Sequence, residues 1–170
     1  MADANSPDAV ALLKADHKKV AGLFEDYESA SGDGKKQKIA EEICMELTVH
    51  ATIEEEIFYP ACEGKVEEDL LKEAYVEHDG AKLLIAEIEA GSPSDEFYDA
   101  KVKVLSEQIE HHVEEEEQRA EGMFAQAKKA GVDMDALGEQ LAARKAELIA
   151  TYKKSGVPKP ELTTMSATPA

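Results

Sequence analysis

Apolar residues recur along this chain at intervals of three and four positions, and alternation of apolar with polar residues is rare. This spacing is typical of amphipathic helices and predicts an all-α protein. Residues 31–34, the region of Gly64 and residues 91–94 interrupt the pattern with Gly, Pro, Ser and acidic side chains. Four long helices are therefore expected, and the short connections between them favour an up-down-up-down antiparallel four-helix bundle.

Several residues indicate where these helices begin and end. Ser6 is expected to cap the first helix, because a proline follows it, and residues 92–95 fit a capping box at the start of the fourth. Gly131 is expected to end the fourth helix. Tyr59 and the proline after it should end or kink the second helix, with no chemistry attached to them.

The C-terminal part of the chain carries one more periodic segment. Residues 132–154 place apolar side chains along one face and predict an additional C-terminal helix, which packs on the bundle or on a partner chain. Residues 155–170 lack a periodic apolar face and are expected to form a flexible tail. The expected organisation is thus a bundle over residues 1–131, followed by the helix and the tail.

Composition and charge narrow the function classes. The 170 residues are 43% apolar, enough for the core of one globular domain, and the formal net charge is −18. A surface of this charge repels nucleic acid and anionic lipid, so neither is an expected partner. No apolar run approaches the roughly 18 residues of a membrane-spanning helix, and the first residues lack the pattern of a secretion signal, so the expected location is the cytoplasm.

Five histidines lie on the predicted helices, and four of them share one level of the bundle. In antiparallel neighbours, residues at the same height are symmetric about the connecting turn. The midpoints between positions 17 and 50, 50 and 78, and 78 and 112 are 33.5, 64 and 95, which fall in or next to the three interruptions. The histidines at one level are therefore expected to be His17, His50, His78 and His112.

The apolar residues around each of the four indicate that they point inward. The stripe through His112 matches the stripe through His50 almost position for position, which selects His112 over the more polar surroundings of His111. Glu54 follows His50 by four positions, and Glu116 follows His112 at the same spacing, which places each pair on one helix face. Two carboxylates are thus expected beside four imidazoles.

These buried carboxylates indicate a metal site. Each would cost several kcal/mol without a positive partner, and no Lys or Arg lies on the inward stripes near this level. Four His and two Glu exceed the ligands of one tetrahedral zinc, so two octahedral-type ions that share bridging carboxylates fit better. Imidazole with carboxylate suits iron, with manganese as the alternative. The predicted metal ligands are His17, His50, Glu54, His78, His112 and Glu116.

Over four helices, the order His, His-x-x-x-Glu, His, His-x-x-x-Glu resembles the hemerythrin-like (HHE cation-binding) family. The matching segments are LLKADHKKVAGLF, LTVHATIEEEIFYPA, AYVEHDGAKLL and IEHHVEEEEQRAEGMF, and they span about residues 8–126. The resemblance implies a non-haem di-iron site, oxo- or hydroxo-bridged, inside a four-helix bundle. It also implies that the glutamates bridge the ions and that coordination is open for oxygen or a similar small ligand.

One position departs from the pattern of the oxygen-carrying members. These have a second histidine four residues from the first on the third helix, whereas His78 has Ala74 and Lys82 at that spacing. Water, His111 or the phenol of Tyr75 could fill the gap. The departure favours reactivity over reversible oxygen carriage.

Other acidic residues near the histidines are expected mainly at the surface, although an outer carboxylate can orient an imidazole by accepting its second N–H. Asp16, Glu77 and Asp79 adjoin predicted ligands in sequence. In each run of consecutive glutamates, the helix can point only one residue fully inward. The remaining members of these runs, expected in solvent, are Glu55, Glu115 and Glu117.

The function expected from these features is a cytoplasmic di-iron protein that binds oxygen, a related oxidant or nitric oxide, in sensing or a stress response. One alternative is a di-iron enzyme that turns over hydrogen peroxide. Another is a metal-free, acidic helical interaction module. The expected partners are a small diatomic ligand or peroxide and an unidentified redox partner, and the chain is expected to be a monomer or a weak homodimer.

Overall fold

The four long helices expected from the sequence are present in the structure, a computed structural model that describes residues 6–166. Residues 1–5 of the expected bundle and residues 167–170 of the expected tail lie outside the described residues. The all-α prediction is confirmed. The helical segments are α1 (Ala9–Ser29), α2 (Asp33–Ile53), a π-helical turn (Glu54–Phe58), α3 (Tyr59–Cys62), α4 (Glu68–Ala90), α5 (Tyr98–Glu117), α6 (Met123–Lys129) and α7 (Met134–Ser155).

The long helices form a closed ring of neighbours. α1 packs against α2 and α5, and α4 packs against the same two helices. Short connections at residues 30–32, 63–67 and 91–97 make consecutive helices antiparallel. This arrangement is the expected up-down-up-down bundle. Among the residues that the structure describes, no helix is long and apolar enough to cross a membrane.

The helix starts differ from those expected. Asp8, rather than Ser6, caps α1, because its side chain accepts a hydrogen bond from the Ala11 N–H at 2.8 Å. At the other predicted start, Asp95 accepts a hydrogen bond from the Ser92 N–H at 2.8 Å, but α5 begins only after this turn. The acidic half of the expected capping box is therefore formed, and it closes a turn instead of starting a helix.

The fourth long helix is shorter than expected, because residues 118–122 separate α5 from α6. A β-carbon at Gly122 would lie 2.6 Å from N and O of Gln118 and 2.8 Å from the carbonyl oxygen of Glu116. The chain can therefore make this tight turn only with glycine. The expectation of one continuous helix up to Gly131 was wrong.

α7 covers one side of the bundle, where it packs against α1, α2 and the π-helical turn. A methyl group at Gly138 would overlap the carbonyl oxygen of Pro7, so glycine lets α7 approach the start of α1 closely. Leu141 of α7 is fully buried in this contact. The C-terminal helix thus lies on the bundle, whereas the unit boundaries near 131 and 154 and the flexibility of the tail stay predictions.

Two apolar clusters fill the interior, and the histidine level lies between them. Along α1, Leu13 belongs to one cluster and Val20 to the other, with His17 between them. The first core contains Leu12, Leu13, Val49, Ile53, Phe58, Tyr59, Leu71, Met123, Phe124 and Leu141. The second core contains Val20, Phe24, Ile43, Leu47, Ile85, Tyr98, Val102 and Leu105. Burial of this apolar surface stabilises the fold by about 25 cal/mol per Å².

Candidate metal centre

The six predicted metal ligands meet in one layer between the first and second cores. None of them is more than 8% exposed. Each of the four long helices contributes one imidazole, α5 also supplies one glutamate, and the π-helical turn supplies the other. These residues, which form the inner cluster, are His17, His50, Glu54, His78, His112 and Glu116.

The donor atoms of the inner cluster divide into two groups of three. Within each group, one ligand atom per residue lies within 4.8 Å of the other two. The two Nε2 atoms are 3.2 Å apart in the first group and 3.1 Å apart in the second. Two imidazoles and one carboxylate per group suit two metal ions. The first group is His17, His50 and Glu116, and the second is His78, His112 and Glu54.

Each glutamate reaches both groups. Oε1 of Glu54 is 2.9 Å from Nε2 of His50 and 3.3 Å from Nε2 of His78. Oε1 of Glu116 is 3.3 Å from one imidazole Nε2 of each group. Both carboxylates therefore lie where a ligand that bridges two ions would lie.

The layer contains buried polar atoms without hydrogen-bond partners, which for the described residues are Glu54 Oε2, Glu116 Oε1 and His78 Nδ1. A buried carboxylate oxygen without a donor is costly. Metal ions would pair with these oxygens and accept the lone pairs of the Nε2 atoms that face one another. The donors present thus fit a pair of first-row transition metal ions.

A second set of acidic side chains surrounds the imidazoles at Nδ1. Three of these acids accept a hydrogen bond from an imidazole Nδ1–H, whereas the fourth acid lies too far from its imidazole for a hydrogen bond. Such bonds fix the ring and leave Nε2 for the metal. These four acids form the outer carboxylates. The expected surface location was wrong for Asp16, which is buried, whereas Glu55, Glu77 and Glu117 are half-buried and face imidazoles of neighbouring helices. The Nδ1–oxygen distances are 3.0 Å for His50–Asp16, 2.9 Å for His112–Glu77, 2.7 Å for His17–Glu117 and 3.7 Å for His78–Glu55.

Two lysines tie the outer carboxylates to the rest of the fold. Lys145 of α7 forms an ion pair with Asp16, and Nζ of Lys82 is 2.8 Å from Glu55. Asp79, also expected at the surface, is fully buried and accepts hydrogen bonds from three consecutive backbone N–H groups near the C-terminus. The last helix and the C-terminal segment therefore both reach the surroundings of the inner cluster.

Tyr59 enters the layer of the inner cluster, although the sequence analysis attached no chemistry to it. Its hydroxyl is fully buried and donates a hydrogen bond to Glu116 Oε2 at 3.0 Å. The same Oη lies 3.1 Å from Nε2 of His78 and 3.2 Å from Nε2 of His112. The phenol thus stands at the second donor group, which is the group that contains His78 and lacks a further imidazole.

The two side chains expected to fill that gap lie elsewhere. His111 has a side chain that is 64% exposed and lies 3.1 Å from Glu115 and 3.5 Å from Glu77. The ring of Tyr75 packs edge-on against the ring of Tyr59, with 5.2 Å between centroids. Tyr75 therefore supports the phenol that reaches the layer but does not reach the layer itself.

A π-helical turn explains why Tyr59 reaches this face. The Tyr59 N–H bonds to the carbonyl oxygen of Glu54, five residues earlier, so the chain gains one residue per turn here. With ordinary α-helical spacing, position 59 would face away from position 54. The signal in the sequence is Pro60, which lacks the N–H of a regular helix and marks the irregularity.

Without bound metal, electrostatic interactions in the layer favour the charged forms of its histidine and glutamate side chains. Burial lowers the pKa of His50, but the charge of Glu54 and the hydrogen bonds with Asp16 and Glu54 outweigh it and raise the pKa to about 10. Although burial opposes both shifts, the pKa of His112 is raised well above its ordinary value by Glu116, and that of Glu116 is lowered by His112. Metal binding by these imidazoles therefore has to displace protons.

The helical bundle and its buried layer of His and Glu define a class of cation-binding helical proteins. The sequence matches the family described as Hemerythrin HHE cation binding domain over residues 8–124, which is more than half of the chain. The chain belongs to this family, so the resemblance seen in the sequence is confirmed. Membership in a cation-binding family argues against the metal-free alternative.

Two known proteins are similar to this chain. A DNA nickase from Nostoc sp. (strain PCC 7120) is 33% identical over 106 residues, which are 62% of this chain and 30% of that protein. The chain thus spans less than a third of that relative's length. A crystal structure of a hemerythrin HHE cation binding domain-containing protein from Mycobacterium kansasii has a TM-score of 0.73 and 22% identity, and the match covers 89% of this chain and 95% of that one. The second likeness shows the fold.

Proposed function

We propose that the inner cluster holds two iron ions and that the protein binds oxygen, a related small oxidant or nitric oxide there, in sensing or a stress response. The observation that carries this proposal is the division of the donors into two groups that share their glutamates. Two divalent ions would more than balance the buried charges of Glu54 and Glu116. Bound iron would supply the electrons that reduce a small oxidant.

The chemistry of the donors supports iron over a structural zinc. Cys44 and Cys62 are free thiols and neither belongs to the inner cluster. Imidazole and carboxylate ligands in a helical bundle suit iron, with manganese as the alternative, whereas structural zinc sites use thiolates or a closed tetrahedral set. Free thiols also agree with a reducing compartment, and we propose the cytoplasm.

The chain's own side chains would orient the donors and keep water out of the layer. Three of the outer carboxylates accept hydrogen bonds at Nδ1 of His17, His50 and His112, so that Nε2 of these imidazoles would face the metal. On the side of the first core, the ring of Phe124 stacks on His17 with 5.9 Å between centroids, and Phe58 packs edge-on against Phe124. Exclusion of water strengthens the electrostatic interactions inside the layer.

A second candidate function is the turnover of hydrogen peroxide, and Tyr59 is the observation that favours it. Burial and the charges of Glu116 and Glu54 raise the pKa of this phenol well above its ordinary value, so Tyr59 keeps its proton. Its hydroxyl lies within 3.2 Å of His78, His112 and Glu116. A buried phenol at this position could donate a proton to a substrate oxygen as the O–O bond breaks and recover one from the next peroxide molecule, which loses a proton when it binds.

Metal analysis after anaerobic iron loading tests the proposed site. The protein is expected to hold about two irons per chain, as carboxylate-rich di-metal bundles do. His50→Ala removes a donor from the first group and should lower the content to about one iron or none. Gln108→Ala is the control, because Gln108 is exposed on α5 and belongs to no candidate metal group, so the iron content should stay unchanged. Protein that binds no iron and gains no thermal stability from it would contradict the proposal.

Peroxide consumption separates the two candidate functions. Sustained release of oxygen or oxidation of a donor under hydrogen peroxide would favour turnover, whereas one reaction per loaded centre would favour binding. Tyr59→Phe removes only the hydroxyl, so we expect unchanged iron content. If Tyr59 donates the proton, turnover should fall by about 10²- to 10⁴-fold. Tyr98→Phe serves as a control, because Tyr98 is buried in the second core outside the inner cluster.

The assembly that we propose is a monomer or a weak homodimer. α7, which carries an apolar face that could have paired with another chain, is already packed on its own bundle. Light scattering over a range of protein concentrations measures this directly.

A further inference from the structure

A cavity of about 900 Å³ lies against the inner cluster, on the side of the bundle between α2 and α4. The imidazoles of His50 and His78 line it, together with apolar side chains such as Leu47, Ala81 and Ile85. A diatomic molecule or peroxide needs little more than the ~30 Å³ of a water molecule. The proposed function therefore leaves most of the cavity unexplained, whereas sites for organic ligands measure about 300–1,000 Å³.

The C-terminal segment forms the outer wall of this cavity. We call residues 157–165 the strap, and residues 157–163 of it line the cavity. After α7, Gly156 has φ of +80°, a left-handed conformation that favours glycine and turns the chain toward α4. Pro158 and Pro160 restrict the backbone of the strap to extended conformations. Without the strap, the space between α2 and α4 would be an open groove.

Asp79 of α4 holds the end of the strap. Its Oδ1 accepts a hydrogen bond from the Thr163 N–H at 2.9 Å. Its Oδ2 accepts from the N–H groups of Thr164 and Met165 at 2.6 and 2.9 Å, and from the Thr164 hydroxyl at 2.7 Å. Hydrogen bonds to an ionised, fully buried carboxylate are stronger than those between neutral groups. The strap is therefore fixed to the bundle through its backbone.

A second contact fixes the strap one turn further along α4. Nζ of Lys82 donates a hydrogen bond to the carbonyl oxygen of Glu161 at 2.9 Å, and it also pairs with Glu55. Glu55 in turn accepts a hydrogen bond from the Thr163 hydroxyl at 2.7 Å. The strap thus bridges the π-helical turn and α4, the two elements that border the cavity beside the inner cluster.

Charge restricts what the cavity can take. The cations that line it are already paired or exposed. Lys82 and Arg144 pair with Glu55 and Glu56, and Lys159 is exposed. In the metal-free protein the charged imidazoles of His50 and His112 pair with Glu54 and Glu116. The lining also includes acidic side chains, and the net charge of the chain is −18. Anionic ligands are therefore repelled, while a neutral molecule can bury apolar surface against both the strap and the helices.

We propose that this cavity binds a neutral, mainly apolar organic molecule beside the inner cluster, with the strap as its outer wall. The site goes beyond the proposed function and does not depend on bound metal. It is formed by the four long helices, the π-helical turn, α7 and the strap, and all of these elements are in place in the chain alone.

Two fluorescent probes that share one skeleton test this proposal on the metal-free full-length chain. N-phenyl-1-naphthylamine is neutral, and 1-anilinonaphthalene-8-sulfonate adds one negative charge. The neutral probe should bind saturably with enhanced emission, and the sulfonate should bind about tenfold more weakly or less well still. The chain contains no Trp, so the protein adds little background emission. Equal affinity for the two probes would overturn the charge selection.

A pair of substitutions locates the probe. Ala86 lines the cavity and is half-buried, so Ala86→Trp fills it and should weaken the neutral probe by about tenfold or more. Ala100 is exposed at the start of α5 outside the cavity, so Ala100→Trp should bind the probe as the wild type does. Circular dichroism verifies that both variants fold. A folded Ala86→Trp variant with wild-type affinity would place the probe elsewhere and overturn the proposal.

Variants of Thr164 test the strap as a wall. Thr164→Pro removes a backbone N–H that donates a hydrogen bond to Asp79, and we expect the neutral probe to bind about tenfold more weakly. Thr164→Val removes only the hydroxyl and should change affinity by less than about threefold. Unchanged affinity in Thr164→Pro would contradict the role of the strap. Iron content is measured separately, so failure of this site is distinguishable from failure of the metal centre.

Discussion

The first and second cores differ in the regularity of the helices that form them. The second core is built by α1, α2, α4 and α5 alone, and its side chains keep the three- and four-residue spacing of the sequence. The first core takes residues from α1, α2 and α4, and in place of α5 from the π-helical turn, α3, α6 and α7. The two helices that supply glutamates to the inner cluster lose their regular α-helical form near those residues. The π-helical turn starts at Glu54, and α5 ends one residue after Glu116. Regular periodicity is thus kept where helices only pack, and it is broken where carboxylates enter the layer.

The largest effect on stability is expected from a substitution in the second core. Leu105 is fully buried there, and Leu105→Ala should lower the free energy of unfolding by about 2–5 kcal/mol. The iron content should stay at the wild-type level, because the cavity forms away from the metal layer. Urea unfolding and metal analysis measure the two quantities. Val104→Ala, at a neighbouring position that is 43% exposed, should change stability by less than about 1 kcal/mol.

The next largest loss of stability is expected from a substitution in residues 118–122, which separate α5 from α6 and border the first core. In Gly122→Ala the new methyl group would contact backbone atoms of Gln118, and relief of this overlap should cost about 1–3 kcal/mol of unfolding free energy. Gly34, in the first turn of α2, has open space around it, so Gly34→Ala should be neutral or slightly stabilising. Equal stability of the two variants would show that the break does not require glycine.

Between the cores, an outer carboxylate should affect metal affinity more than stability. Asp16→Asn keeps the shape of the side chain but removes the charge that faces His50 and Lys145. Loss of such a carboxylate typically lowers metal affinity by about 10–100-fold. Competition with a chelator measures the change. Asp26→Asn, at an exposed position of the same helix, should leave the affinity unchanged, and an equal loss there would point to bulk charge instead.

A pH dependence of stability is expected from the layer and not from the cores. The pKa of His50 is raised to about 10 in the metal-free protein, mainly by Glu54 and Asp16 against the opposing effect of burial. A raised pKa stabilises the fold fully below the unfolded value of about 6.5 and loses this contribution as pH rises through about 10. The melting temperature of the metal-free protein should therefore fall between these pH values. His50→Gln should reduce the fall, whereas an identical curve would assign it to other groups.

The sequence was sufficient to predict what depends on helical spacing. The symmetry of positions about the turns placed four histidines at one level, and the structure brings His17, His50, His78 and His112 together there. The i, i+4 spacing also placed Glu54 beside His50. These features were predictable because regular helices fix both the height and the direction of a side chain.

The features that were missed depend on departures from that regularity or on contacts between distant segments. The π-helical turn redirects Tyr59, and no helical spacing relates it to His78 or Glu116. Asp79 is buried by a segment more than eighty residues later in the chain, and its neighbours in sequence carry no sign of this contact. Glu117 reaches His17 across the α1–α5 interface, which spacing along one helix cannot show.

The sharing of both glutamates by the two donor groups has a consequence for loading. An ion held by one group would fix the carboxylates that the other group also needs, so under the proposed function the two sites would not fill independently. The free energy of binding at one site then depends on the occupancy of its neighbour, and by thermodynamic linkage this dependence is reciprocal. In a stepwise metal titration, this coupling would appear as a binding curve that differs from the curve of two identical, independent sites.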